Sequence, residues 1–219
     1  MTRFAGRLTF SVVRVPFFLE PSYDDDEGFS ESNVQRKHRM FGSHAAYMDF
    51  KKRHGLAPRA LAAGIEAPLD EDRVESSTMK SHRVVQHVAK EYGLAAAEAL
   101  YDDLNTLHFI DGVRLNDAQM LAKAVVRSAP GATEASVTEF LRSGGGTAEI
   151  EKSQQLLREY GISGIPRFIV DGQYTLDGAA VADEHAAVFS RIATGPPARA
   201  PLFTEALGIS GGTLAVPSH

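Results

Sequence analysis

The chain has 219 residues, 43% apolar and 23% charged, with 23 basic against 28 acidic side chains and a net charge of −5. That is enough apolar material to bury a core in one large domain, or in one domain with an insertion. There is no cysteine, which excludes structural disulfides and thiolate metal sites; no basic stripe interleaved with aromatics points to nucleic acid, and no apolar run approaches a membrane span.

The first eight residues, Met1-Thr2-Arg3-Phe4-Ala5-Gly6-Arg7-Leu8, do not read as a signal peptide. Arg14 and Pro16 interrupt the apolar stretch and no small-residue cleavage site follows, so a cytoplasmic chain is expected. Leu8 to Val15 is β-branched and partly alternating and predicts a strand. It leads into Pro16-Phe17-Phe18-Leu19-Glu20-Pro21. Ser22 to Ser32 carries Asp24-Asp25-Asp26-Glu27, four acids without the spacing or glycine of an EF-hand, and reads as a solvated loop. Ser32 or Asn33 is placed to cap a helix running to about Phe41. A second helix is predicted from Ser43 towards His54-Gly55, after which Pro58 and Gly64 break the pattern and Pro68-Leu69-Asp70 forms a loop.

Glu75 to Tyr92 predicts a strong helix, with Met79, Val84, Val85 and Val88 on its apolar face and Gly93 as its stop. Helices follow over Ala95 to Phe109 and Asn116 to Ala129, the latter stopped by Pro130-Gly131. Thr133 to Leu141 and Thr147 to Tyr160 are two more. Ser143-Gly144-Gly145-Gly146-Thr147 between them lacks the lysine and preceding strand of a phosphate-binding loop and reads as a flexible joint.

Gly161 suits the left-handed position that ends a helix. Beyond it, Pro166 lacks an N–H and sits best at the first residue of a strand. Phe168 to Val170 is that strand, with Phe168 and Val170 facing the core. Asp171-Gly172 signals a two-residue hairpin turn, and Gln173 to Leu176 returns, closed by Gly178. Val181 to Ile192 is a final amphipathic helix. From Thr194 onward Gly, Pro, Ala and Ser dominate, which predicts a mobile tail.

The run from Gly161 to Gly178 resembles the cis-proline loop and closing hairpin of thioredoxin-fold proteins of the DsbA family. It is most similar to the branch of FrnE-type oxidoreductases and 2-hydroxychromene-2-carboxylate isomerases, whose pattern is Gly-(Ile/Val)-x-Gly-(Ile/Val)-Pro-x-Phe-(Ile/Val)-(Ile/Val). Pro16 to Pro21 resembles the family's Pro-Phe-x-Leu-x-Pro exit from its second strand. Ser76-Ser77-Thr78 with Ser81-His82-Arg83 resembles an Asn-Thr-x-x-(Ala/Ser)-His-(Arg/Lys) segment, with Ser77 where Asn is usual. The resemblance implies an α/β fold, a thioredoxin-like sheet with an inserted all-helical domain. Residues 1–30 and 161–194 would form the thioredoxin-like part, 31–160 the helical insertion and connecting helix, and 195–219 a flexible tail.

The family places a strand, an active-site turn (Cys-Pro-x-Cys, or Ser for the first Cys in the isomerases) and a helix before the strand matched here by Leu8 to Val15. Such a unit needs about 25–30 residues, and seven precede Leu8. The resemblance therefore implies that the catalytic motif is not among these residues and that the sheet is incomplete at the N-terminus. A fragment, a mis-started gene model and a degenerate paralogue all fit that pattern.

Chemistry is correspondingly restricted. Thiol–disulfide exchange needs a nucleophilic thiolate and a resolving cysteine, so no catalytic residue is assigned and redox inactivity is expected. Among the eight histidines no His-x-x-x-His pair with Glu suggests a zinc site, and no Gly-x-Ser-x-Gly elbow suggests a serine hydrolase; no metal is expected. The family resemblance leaves a cis Ile165–Pro166 bond and a substrate-binding set of Gly164, Ile165, Pro166 and His82. Their partner would be an extended peptide, or a small thiol compound such as glutathione, the one cofactor an isomerase activity would bring. Two functions stay open: an impaired oxidoreductase or isomerase, and a non-enzymatic peptide- or thiol-binding module. An incomplete sheet would also leave an open edge that favours self-association.

Overall fold

Helices begin where the sequence supplies caps. Ser32 Oγ accepts from Gln35 N at 3.1 Å while Gln35 Oε1 accepts from Ser32 N at 3.1 Å, a reciprocal box that opens α1 (Asn33–Phe41). Ser43 caps α2 (His44–His54), which ends on Gly55 in the left-handed conformation. The helices α3 (Met79–Glu91) and α4 (Leu94–Phe109) follow, then α5 (Ala118–Ser128) behind the Asp117 cap and α6 (Glu134–Arg142) behind Thr133. The later elements are α7 (Thr147–Glu159), the strands Arg167–Val170 and Tyr174–Asp177, α8 (Ala182–Ile192) and the short α9 (Gly211–Leu214). The fold is mixed α/β and mostly helical. These elements come from a computed structural model that describes residues 2–55, 58, 61, 62, 64, 73–178, 180–196 and 202–214; the expected loop at Pro68-Leu69-Asp70 lies outside the described residues.

The chain divides into two compact units. The first comprises Phe18–Val85 and Ala96–Gly145, and the second comprises Met1–Phe17, Gln86–Ala95 and Gly146–His219. These bounds differ from the expected divisions after residues 30 and 160. The break falls inside the glycine run, and α7 joins the hairpin in the second unit.

In the first unit, Leu100, Leu121, Val125 and Val137 are almost fully buried, and α5 packs on α6. Each such side chain contributes about 1.5–3 kcal/mol by leaving water. The helix predicted from Glu75 starts instead at Met79. Val74–Glu75 (β2) pairs antiparallel with Glu31–Ser32 (β1), a two-residue ladder that the sequence pattern does not announce. The serines explain the late start: Ser77 Oγ accepts from Met79 N, and Ser76 Oγ accepts from Leu115 N. The acidic loop is held rather than loosely solvated. Lys80 Nζ donates to Asp25 O at 2.9 Å, Arg114 Nη1 to Glu27 O at 2.6 Å and Asn116 Nδ2 to Asp26 O at 2.7 Å. The glycine joint is likewise fixed. Arg83 donates from Nε to Gly145 O at 2.6 Å and from Nη2 to Leu141 O at 2.8 Å, taking up carbonyls at the end of α6.

In the second unit, Leu8 to Val15 does not form a strand, contrary to its pattern. Among the described residues no ladder neighbour pairs with it, and β-propensity without a neighbour makes no sheet. Other contacts hold the segment. Phe10 meets the Phe189 ring of α8 edge-on at 4.9 Å, Gln86 Nε2 donates to Arg14 O, and Gln154 Nε2 donates to Pro16 O, each at 2.7 Å. The expected tail also packs where it is described. Phe203, Ala206, Leu207 and Ile209 are buried, Leu207 completely.

Candidate functional site

The loop before the hairpin is launched by a helix end that the sequence encodes. Gly161, at φ 64°, follows the C-cap residue Tyr160. Gly161 N donates to Arg158 O at 3.0 Å and Ile162 N to Leu157 O at 2.8 Å, the paired bonds of a Schellman motif. Leu157 and Ile162 are both buried and supply its apolar contact. Ser163 to Phe168 is then exposed throughout. Within it the Ile165–Pro166 bond is cis, as the resemblance implied.

Strand β3 (Arg167–Val170) pairs antiparallel with β4 (Tyr174–Asp177). Asp171 and Gly172 both have positive φ, 56° and 64°, the backbone demanded of the Asp-Gly turn. Gln173 N donates to Val170 O at 3.2 Å. Yet Val170 faces Tyr174, so the connection is Asp171 to Gln173, one residue longer than expected, and β4 shifts by one. Phe168 thereby faces Leu176. Phe168 is also not a core residue: it is 42% exposed, and its ring meets the His185 ring of α8 edge-on at 4.9 Å.

The hydrogen-bond parity of β3 decides which backbone groups face outward. Gly178 N donates to Pro166 O at 2.9 Å, which makes that pair a bonded one. Bonded and non-bonded pairs alternate along an antiparallel ladder. Phe168 and Val170 therefore turn their N–H and C=O towards β4, and Arg167 and Ile169 turn theirs to the other edge. Among the described residues that edge has no partner strand. Ile165, 51% exposed, and Phe168 stand beside it. The Arg167 guanidinium is held across the hairpin by Asp177.

Of the residues selected from sequence, Gly164, Ile165 and Pro166 stand together at the start of this edge. His82 belongs to the other unit, on the first turn of α3, where its ring meets Phe18 edge-on at 5.2 Å. Arg167 and Ile169 were not selected. Their signal was available in Asp171-Gly172, because counting back by twos from the turn-closing Val170 leaves Ile169 and Arg167 facing outward.

The edge carries no acid, base or nucleophile among Ile165, Pro166, Phe168 and Ile169, so its chemistry is hydrogen bonding and apolar contact. Titratable groups gather elsewhere. In the first unit, Arg39 Nη2 donates to Glu31 Oε2 at 2.8 Å and Arg36 Nε to Glu20 Oε1 at 2.8 Å. The Arg39 bond holds Glu31 below the usual carboxylate range, while burial and the bond to Glu31 push the Tyr23 phenol up. Glu31 faces Glu75 directly across β1–β2, a like-charge pairing offset by Arg39 on one side and by Arg73 on the other, with His108 Nε2 3.5 Å from Glu75 Oε2. A cavity of about 570 Å³ beside α2 is lined by Met48, Asp49, Lys51, Lys52, Gly55 and Pro58, and its one carboxylate is engaged by Arg53. Among the described residues no cluster of three or more His, Asp or Glu is placed to hold a metal ion, and no helix is long and apolar enough to cross a membrane.

Residues 3–189 match the family model described as a DSBA-like thioredoxin domain. The crystal structure of a probable DsbA oxidoreductase from Streptomyces coelicolor is similar over 85% of this chain and 76% of that one, with a TM-score of 0.68 and 24% identity, a likeness of fold. Comparison with curated protein sequences gives no match. The helix-capped loop, the cis proline and the hairpin thus sit within a family match that spans most of the sequence, and the chain belongs to the DsbA-like thioredoxin domain family.

Proposed function

We propose that this domain works by holding an extended peptide along the free edge of β3, with Gly164, Ile165 and Pro166 forming the approach to it. The observation that carries this reading is the outward-facing N–H and C=O of Arg167 and Ile169 beside the exposed Ile165 and Phe168. These four backbone groups suit the addition of one short strand, and the neighbouring side chains suit apolar residues on it. Each backbone bond has a net worth of about 1 kcal/mol. Four of them supply about 4 kcal/mol and, with the apolar contacts offsetting the cost of ordering the peptide, correspond to a dissociation constant on the order of 1 mM. Thiol–disulfide exchange needs a thiolate, and these 219 residues contain none. Binding is therefore the part of the family's work that these residues can perform. Glutathione, itself a short peptide, is a second ligand for the same edge.

The test is an NMR titration of the isotope-labelled chain with a capped peptide of alternating valine and threonine. The amides of Arg167 and Ile169 should move first, and N-methylation of every second peptide amide should abolish the effect. Unmoved amides over Gly164 to Val170 at millimolar peptide, or shifts indifferent to N-methylation, would refute the reading. A parallel titration with reduced glutathione should move the same amides, and insulin reduction by the purified chain should remain at background.

A further inference from the structure

The free edge of β3 is self-complementary. Arg167 and Ile169 are its outward-bonding residues, so a second β3 lying antiparallel must bring outward-bonding positions opposite one another. Apart from a register centred on Arg167, which opposes two guanidinium groups and is unfavourable, two two-fold registers satisfy this. A pairing centred on Phe168 sets Arg167 opposite Ile169 of the other copy, leaving the guanidinium against an aliphatic side chain. A pairing centred on Ile169 sets Ile169 opposite Ile169, Phe168 opposite Val170 and Arg167 opposite Asp171. The second register joins opposite charges twice, once at each end, and opposite-charge pairs across a ladder are favourable where charge against an aliphatic is not. Nothing in the strand blunts the edge: no lysine, proline or bulge interrupts Arg167–Val170.

We infer that β3 pairs with β3 of a second copy of this chain, antiparallel and two-fold symmetric about Ile169, with Arg167 of each copy opposite Asp171 of the other. Both outward backbone groups of Ile169 pair with Ile169 of the other copy, and the Arg167 C=O accepts from the Asp171 N–H, which faces outward because the Val170 C=O accepts from Gln173 N. The Asp171 carboxylate, which accepts from Gln173 Nε2 at 2.8 Å, has lone pairs for Arg167 as well. Arg167 keeps its cross-strand bond to Asp177, since a guanidinium has donors for both carboxylates. The interface is small, so association belongs to the weak class. It uses the same edge as the peptide in the proposed function but does not depend on that function. In a pairing of this kind a second copy and a peptide exclude each other.

The absence of cysteine makes single-cysteine variants clean reporters. Directly opposed residues in a bonded pair have Cα atoms about 5.5 Å apart, within the span of a disulfide. Ile169→Cys should therefore cross-link between copies under mild oxidation. Arg167→Cys should not, because the two copies of that position lie about 13 Å apart, four residues of strand rise. Sedimentation of the wild-type chain should show a monomer–dimer equilibrium with a dissociation constant on the order of 0.1–1 mM. Asp171→Asn keeps a residue that tolerates positive φ, and by removing two charge pairs it should weaken the dimer about fivefold. Excess valine–threonine peptide should dissociate the dimer if both readings hold. A chain that stays monomeric at millimolar concentration while still binding peptide would overturn this inference and leave the proposed function standing. So would a dimer that cross-links through Arg167→Cys but not Ile169→Cys, or one indifferent to Asp171→Asn.

Discussion

Replacing Arg83 by methionine should be among the most damaging single changes in the first unit. Arg83 is 4% exposed on α3, and its guanidinium donates to Gly145 O at 2.6 Å, Leu141 O at 2.8 Å and Phe140 O at 3.2 Å. These carbonyls lie at the end of α6 and in the glycine turn after it, where no intrahelical donor remains. Methionine keeps most of the aliphatic stem and removes every donor. Phe140 O still accepts from Gly145 N at 2.9 Å and Leu141 O from Gly144 N at 3.3 Å, so Gly145 O is the carbonyl left unpaired, at about 1–3 kcal/mol, and the other two lose a charge-assisted bond. Against that, burial of the guanidinium already works against its charge and pushes its pKa down, so removing the charge returns part of the loss. The balance is a destabilisation of about 2–3 kcal/mol, one unpaired carbonyl and two weakened ones less the relief of the buried charge. Urea unfolding followed by far-ultraviolet circular dichroism measures it. With a slope of about 2 kcal/mol per molar, the midpoint should fall by about 1–1.5 M. Arg142→Met is the control: that residue lies on the exposed surface of the same helix end, paired with Glu139, and should cost under about 0.5 kcal/mol. A midpoint for Arg83→Met within about 0.5 M of wild type would show that the carbonyls find other donors and that the clamp is incidental.

Gly161→Ala should cost about 1 kcal/mol because Gly161 has positive φ, whereas Gly164→Ala should be near neutral because an added Cβ there meets nothing within 4 Å; equal thermal shifts for the two would contradict the Schellman geometry. Leu207→Ala should destabilise the second unit by about 2–4 kcal/mol, since Leu207 is fully buried, and an unchanged urea midpoint would mean that the C-terminal segment does not dock. The depressed pKa of Glu31, caused first by the Arg39 bond and also by Tyr23, stabilises the fold above the unfolded carboxylate value, about 4.3. That contribution is lost as pH falls through the lowered folded value, so Glu31→Gln should be less stable than wild type at neutral pH and the two should converge in acid. A constant difference across the acid limb would count against the ion pair.

Local chemistry fixed a good part of this molecule. Ser32 with Gln35, Asp117, Thr133 and Gly161 set helix ends through bonds made within a few residues of the chain, which is why the sequence pattern locates those ends closely. Asp171-Gly172 fixed a turn with positive φ for the same reason, and the total absence of cysteine excluded a whole class of chemistry by composition alone. What required the tertiary structure depends on partners distant in sequence. Leu8 to Val15 has the residues of a strand, but a strand exists only where another lies beside it, and here the segment is held by Phe189, Gln86 and Gln154. The ladder of Glu31–Ser32 with Val74–Glu75 joins residues more than forty positions apart in a pairing too short to leave any periodicity. Gly144 to Gly146 looked pliant because glycine lacks a side chain, and became a fixed turn because Arg83 reaches its carbonyl from α3. Phe168 has the hydrophobicity of a core residue, but burial is decided by what covers a face, and beside Leu176 and the His185 ring it stays 42% exposed. The outward parity of Arg167 and Ile169 lies between these cases: the turn encodes it, and only the sheet, which among the described residues ends at β3, gives it an open edge.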